Sequence, residues 1–231
     1  MPHESKTWTA NQHAECIRNI VSTRLHSLGM TSLHLPLSAG PSDHRVPVLV
    51  SRNLFKASRV VVVFGEPIQD LGIWAYRSVG TDGINAGSAV SLAEALLSTS
   101  GSEAATQKDD AQNKDTALVL ANTGQLIWYC GGSRPVTHAT WLALPRRSAV
   151  DPPMRMAARN KIPRNGDWQE HVDCVFEDIL SARGRLVRQD AKIDVIGLAE
   201  GGLGAIRYLR DNCVSPLPFP LLYGYSESRQ S

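Results

Sequence analysis

The chain has 231 residues, a hydrophobic fraction of 42%, a charged fraction of 20% and a formal net charge of +2. That length and composition allow one compact domain with a real core, and near-neutrality leaves bulk electrostatics silent about nucleic acid. No run reaches the roughly 18 apolar residues of a membrane span, and the polar start MPHESKTWTANQHAEC lacks the apolar run of a signal peptide, so an intracellular, soluble protein is expected.

The first periodic segment is residues 11–28, where Ile17, Ile20, Val21, Leu25 and Leu28 recur at helical spacing. Asn11 is placed to cap its start and Gly29 to end it in a left-handed turn. Two extended candidates follow at 32–37 and 46–50, separated by the turn-rich AGPSD. Three continuous apolar runs, at 60–64, 117–121 and 193–198, read as strands covered on both faces, as in a parallel sheet flanked by helices. Helical segments follow them at 88–97, 167–180 and 202–212, the second with Asp167 and Glu170 in a capping-box-like pair. Strand–helix alternation of this kind predicts an α/β fold with a mostly parallel central sheet. Residues 98–115, rich in Ser, Ala and charge, are expected to form a mobile surface loop.

The four cysteines, Cys16, Cys130, Cys174 and Cys213, contain no CxxC pair. They are expected to be small buried hydrophobes, with no metal site and no cofactor. The informative motif is Gly197-Leu198-Ala199-Glu200-Gly201-Gly202, placed between a strand and a helix. A serine-hydrolase nucleophile elbow is built as G-x-S-x-G in that setting. Here alanine occupies the nucleophile position, and a methyl group cannot form an acyl intermediate. No histidine follows Ala199 in the chain, so the nucleophile–acid–histidine order of that fold is also missing. A Gly-rich turn of an ordinary α/β domain would carry the same GxAxG.

Five stretches together resemble a known family. They are VVVVFGEPIQDLGIWAYR (60–77), TALVLANTG (116–124), NGDWQEHVDCVFEDIL (165–180), IDVIGLAEGG (193–202) and GLGAIRYL (202–209). They are similar, in order and spacing, to the family of the Argonaute-binding protein that is the second subunit of the Argonaute siRNA chaperone complex. Related domains end some fungal class II histone deacetylases. The resemblance implies an α/β-hydrolase-like domain, here without the serine and short of the usual C-terminal strands. It also implies Argonaute or chromatin-silencing protein partners and a nuclear or cytoplasmic setting.

The expected organisation is an N-terminal helix and extended segment at 1–45, a hydrolase-like domain at 46–212 and a Pro-rich tail at 213–231. A vestigial pocket is expected from Phe64, Gly65, Glu66, Asn122, His171, Gly197, Ala199, Glu200 and Gly201. Gly65 lies where oxyanion-hole donors sit in such folds, while a carboxylate at Glu66 would repel an oxyanion. Asp70, Trp74 and Arg77 read as an anchored loop with an Asp–Arg pair. Arg146, Arg147, Arg155, Arg159, Lys161 and Arg164 make a basic segment. It either pairs with the acidic helix after it or binds an anion such as RNA phosphate. The leading expectation is a non-catalytic interaction domain. The alternatives are a hydrolase using another nucleophile or a water held by His171 or Glu200, and a nucleic-acid-binding module.

Overall fold

The computed structural model describes residues 3–97, 115–145, 148, 150 and 154–212, with side chains from residue 12 onward. The expected mobile loop, apart from Asp115, and the expected Pro-rich tail lie outside the described residues, as do Cys213, Arg146 and Arg147.

The chain opens with helix α1 (His3–Ser27), which starts earlier than its apolar stripe predicts, and strands β1 (Met30–Leu35) and β2 (Val46–Ser51). Gly29, at φ +89°, ends α1 in the left-handed turn expected of it. Strand β3 (Arg59–Phe64), helices α2 (Tyr76–Asp82) and α3 (Val90–Leu97), and strand β4 (Thr116–Ala121) come next. An excursion then carries the short strands β5 (Ile127–Tyr129) and β6 (Arg134–Val136) and helix α4 (His138–Leu142). Helix α5 (Trp168–Cys174), strand β7 (Lys192–Gly197) and helix α6 (Glu200–Asn212) complete the described fold.

Five strands form one sheet in the order β1-β2-β4-β3-β7, and β5 pairs with β6 in a separate hairpin. Strands β4, β3 and β7 run parallel, but β2 is antiparallel to both β1 and β4. The sheet is therefore mixed, which corrects the expectation of a mostly parallel one. The reason lies in residues 36–45, which contain no helix. A parallel neighbour needs a long crossover, usually helical, and a plain turn delivers an antiparallel one.

Alternation along β3 divides the core in two. Val60, Val62 and Phe64 pack with Val172, Phe176 and Ile179 after β4 and with Ala205 and Leu209 of α6. Val61 and Val63 point to the other face, against Val21 and Leu25 of α1 and Val90 and Ala93 of α3. Both faces of β3 and β4 are thus dry, as their continuous apolar runs require. Strand β7 differs. It is an edge strand, and Asp194 and Ile196 align with Val61 and Val63 on a face that the described residues cover only in part, leaving Ile196 38% exposed. Asp194 pairs instead with Arg59.

Asp167 caps α5 by accepting from the N–H groups of Gln169 and Glu170. The Glu170 carboxylate reaches back to Gly166 N–H rather than to Asp167, a capping box displaced by one residue. After Cys174 the helix widens to π geometry over Val175–Leu180, closed by a 2.8 Å bond from Ser181 N–H to Phe176 O. That wider turn keeps Val175, Phe176, Ile179 and Leu180 all buried.

Candidate functional site

The junction between β7 and α6 is defined by close backbone approaches. Ala199 has φ +47°, in the left-handed region where a side chain costs about 1 kcal/mol or more relative to glycine. Leu198 N–H donates to Phe64 O at 2.9 Å, tying the turn to the end of β3. A Cβ on Gly201 would overlap Gly65 O and lie 2.8 Å from Phe64 O, and one on Gly197 would overlap Gly202 Cα. Glycine at 197 and 201 is therefore required by packing. Ala199 itself is exposed, as is Glu200 beside it.

The neighbouring loop turns carbonyl oxygens, those of Phe64 and Gly65, toward Gly201. Gly65 O also accepts from the Thr123 hydroxyl at 2.7 Å. The Glu66 carboxylate is turned aside to accept from Gln69 Nε2 at 3.2 Å. These two oxygens are acceptors, bonded to Leu198 N–H and the Thr123 hydroxyl, whereas an oxyanion hole is built from donors. Behind the loop lies a cavity of about 10 Å³, lined by Gly65, Glu66, Gln69, Asp70, Asn122 and Thr123 among others. That is room for about one water. Neither Ala199 nor His171 lines it.

Asn122, directly after β4, is fully buried and closes its own turn, accepting from Gln125 N–H at 3.1 Å and donating to Gln125 Oε1 at 2.9 Å. Gln125 in turn donates to Asp70 Oδ1 at 2.7 Å. The other Asp70 oxygen accepts from Tyr76 Oη at 2.6 Å and from Arg18 at 3.2 Å. The arginine partner of Asp70 is thus Arg18 on α1, where the sequence suggested Arg77. Burial, then the adjoining Asp70, pushes the Tyr76 hydroxyl well above the usual phenol range. This network clamps α1 to the C-terminal edge of the sheet. Nothing local in the sequence marks it, because Arg18 and Gln125 lie far from Asp70 in the chain.

His171 is fully buried and has no access to the junction. Its Nε2 accepts from Asn122 N–H at 3.0 Å, so Nδ1 carries the proton and donates to Asn165 Oδ1 at 2.7 Å. Asn165, completely buried, donates onward to Pro163 O. Desolvation lowers the His171 pKa to about 3, so the ring is neutral. Both nitrogens are committed, and the ring has no lone pair left for a base's work.

Of the basic segment, Arg164 ties to Glu177 and Asp178 of the following helix. Arg155, Arg159 and Lys161 are exposed and have no ion pair among the described residues. Cys174 is buried as expected, but Cys16 and Cys130 are exposed. Among the described residues no cluster of His, Cys, Asp and Glu gathers to hold a metal ion, and no helix is long and apolar enough to cross a membrane.

The elements of this site span the region matched by the family model of the Arb2 domain, residues 3–215. The chain belongs to the Arb2 domain family. No curated protein and no solved structure matches it. Within this Arb2 domain the structure brings Phe64, Gly65, Gly197, Ala199 and Gly201 together at one junction, with Glu66 and Asn122 on the adjoining loops. It sets His171 apart in the core.

The left-handed alanine gives a measurable expectation. Replacing Ala199 with glycine removes the Cβ clash while adding chain entropy to the unfolded state. The variant is expected to be no less stable than the parent, with a gain of up to about 1 kcal/mol by denaturant melt.

Proposed function

We propose that this Arb2 domain is a non-catalytic protein-interaction module on an α/β-hydrolase-type scaffold, serving Argonaute-linked RNA silencing or heterochromatin assembly inside the cell. The observation that carries the reading is the elbow itself. A strained non-glycine residue sits between glycines at a strand–helix turn, the backbone signature of a nucleophile elbow, and its side chain is a methyl group.

Three features around it support the absence of chemistry. The carbonyls of Phe64 and Gly65 face the turn, both His171 nitrogens are bonded within the core, and the cavity behind the loop holds about one water. The hydrolase alternative loses its two named residues in different ways. His171 is sequestered, and Glu200 stands exposed at the start of α6, apart from the buried His171. The Argonaute and silencing context is supported by family membership.

Two assays on the purified chain test this reading together. Incubation with short-chain p-nitrophenyl esters is expected to give no turnover above buffer. Affinity purification of the tagged chain from its own cells is expected to return a stoichiometric protein partner. Ester turnover, or the consistent absence of any protein partner, contradicts it.

A further inference from the structure

Between Asp115 and Asp167 the sequence carries eight lysine, arginine and histidine side chains and a single acid, Asp151. Most of this stretch forms the excursion between β4 and α5, which stands on the β5–β6 hairpin and α4. Its most unusual piece is Met154-Arg155-Met156, a strip outside helix and strand with all three side chains in solvent, Met154 at 42% and Met156 at 57% exposure.

The strip is fixed through its backbone. At one end Trp141 Nε1 donates to Met154 O at 3.0 Å. At the other, Ala157 N–H donates to Asn160 Oδ1 at 3.0 Å, and Asn160 Nδ2 donates to Trp128 O on the hairpin at 3.0 Å. The main chain is thus held while its apolar side chains face water. Leu142, 48% exposed, follows Trp141 on α4 and is a further apolar side chain in solvent on this excursion. Arg159 follows in the chain, its carbonyl accepting from Cys130 Sγ, and Arg134 pairs across the hairpin with Tyr129. Arg134, Arg155 and Arg159 have no ion pair among the described residues.

Methionine and arginine beside exposed apolar side chains, in a stretch with one acid against eight basic side chains, is the composition that marks the cores of protein interfaces. Covering these guanidinium groups without a carboxylate would cost several kcal/mol, so the surface selects an acidic occupant. A phosphate backbone would satisfy the arginines but give Met154, Met156 and Leu142 nothing to bury against. We propose that this surface docks an acidic, apolar-bearing polypeptide segment of a partner protein. The proposal rests on the reading of the domain as a protein-binding module and names the face and the partner's chemistry.

The test uses the full chain and three fluorescent probes. These are a peptide alternating Asp and Glu with Leu and Phe, the same peptide with each Leu and Phe replaced by Ser, and a single-stranded oligouridine RNA. The first peptide is expected to bind at least about tenfold more tightly than either other probe. The pairs Met154→Ser with Met156→Ser, and Arg155→Glu with Arg159→Glu, are each expected to weaken it about tenfold or more. Arg210→Glu, on α6, is expected to leave it unchanged.

No binding of the first peptide overturns the proposal, as does equal binding of the serine peptide or the RNA, or indifference to Met154→Ser with Met156→Ser. Circular dichroism of each variant must match the parent for its result to count, and Arg155→Glu, at an exposed position, supplies a minimal variant expected to keep the fold. The broader reading is tested separately. If both paired variants still capture the partner that the parent captures from cells, this face is not the interface while the module still binds protein. If the parent captures none, the reading of the domain fails.

Discussion

Replacing Gly201 with valine is expected to abolish the folded state or lower its stability by about 4 kcal/mol or more, read as loss of soluble protein or a fall in melting temperature of well over 10 °C. The obstacle is steric. Gly201 is buried, and even the first carbon of a side chain would overlap Gly65 O and approach Phe64 C at 2.9 Å. Those atoms belong to the end of β3, the strand at the centre of both halves of the core. They cannot retreat without breaking the bond from Leu198 N–H to Phe64 O. An internal control comes from Gly80 within α2, where a Cβ would meet open space. Gly80→Ala is expected to stabilise by roughly 0.5–1 kcal/mol, because alanine has the better helix propensity. A Gly201→Val protein as stable as its parent would mean that the junction is not packed as described.

The second large effect concerns His171. Substitution by alanine leaves Asn122 N–H and Asn165 Oδ1 without their partners and opens a void at a fully buried position, so a loss of about 3 kcal/mol is expected. The pH dependence has a definite sign. The folded-state pKa of about 3 lies below the ordinary 6.5, so below pH 6.5 the unfolded chain binds a proton that the folded chain refuses. Stability from this residue is constant above about pH 6.5. It is lost as pH falls toward 3, with a slope approaching about 1.4 kcal/mol per pH unit. Urea melts between pH 7 and pH 4 are expected to show this slope in the parent and a shallower one in His171→Gln. An unchanged slope in that variant would show that His171 is already free to protonate in the fold.

The parts of the fold that were legible in the sequence are those whose cause is local. Residues 60–64 and 117–121 read as buried strands because β-branched and apolar side chains face helices on both sides, and the structure covers them on both. Gly29 reads as a helix end because only a left-handed turn suits it there. The G-x-A-x-G junction was legible because backbone contact requires glycine whatever the partner.

What escaped depends on remote partners or very short elements. The β5–β6 hairpin has strands of three residues, too short for alternation to register. Strand β7 looked doubly covered from 193–198, although Asp194 in its middle marks a face that the described residues cover only in part. The roles of His171 and Asp70 are set by Asn122, Asn165, Arg18 and Gln125, none of which sequence spacing links to them. The antiparallel β2 follows from the missing helix in 36–45, a signal present in the sequence but outweighed by the parallel pattern around it.

The central claim is that the junction keeps an elbow's shape without the groups that would make a nucleophile there reactive. Restoring a hydroxyl tests it directly. Ala199→Ser, checked to melt within a few degrees of the parent, is expected to show no labelling by a fluorophosphonate probe above the parent and no ester turnover. Stoichiometric labelling of the serine variant would show that a base and an oxyanion site remain in place, and would contradict the account.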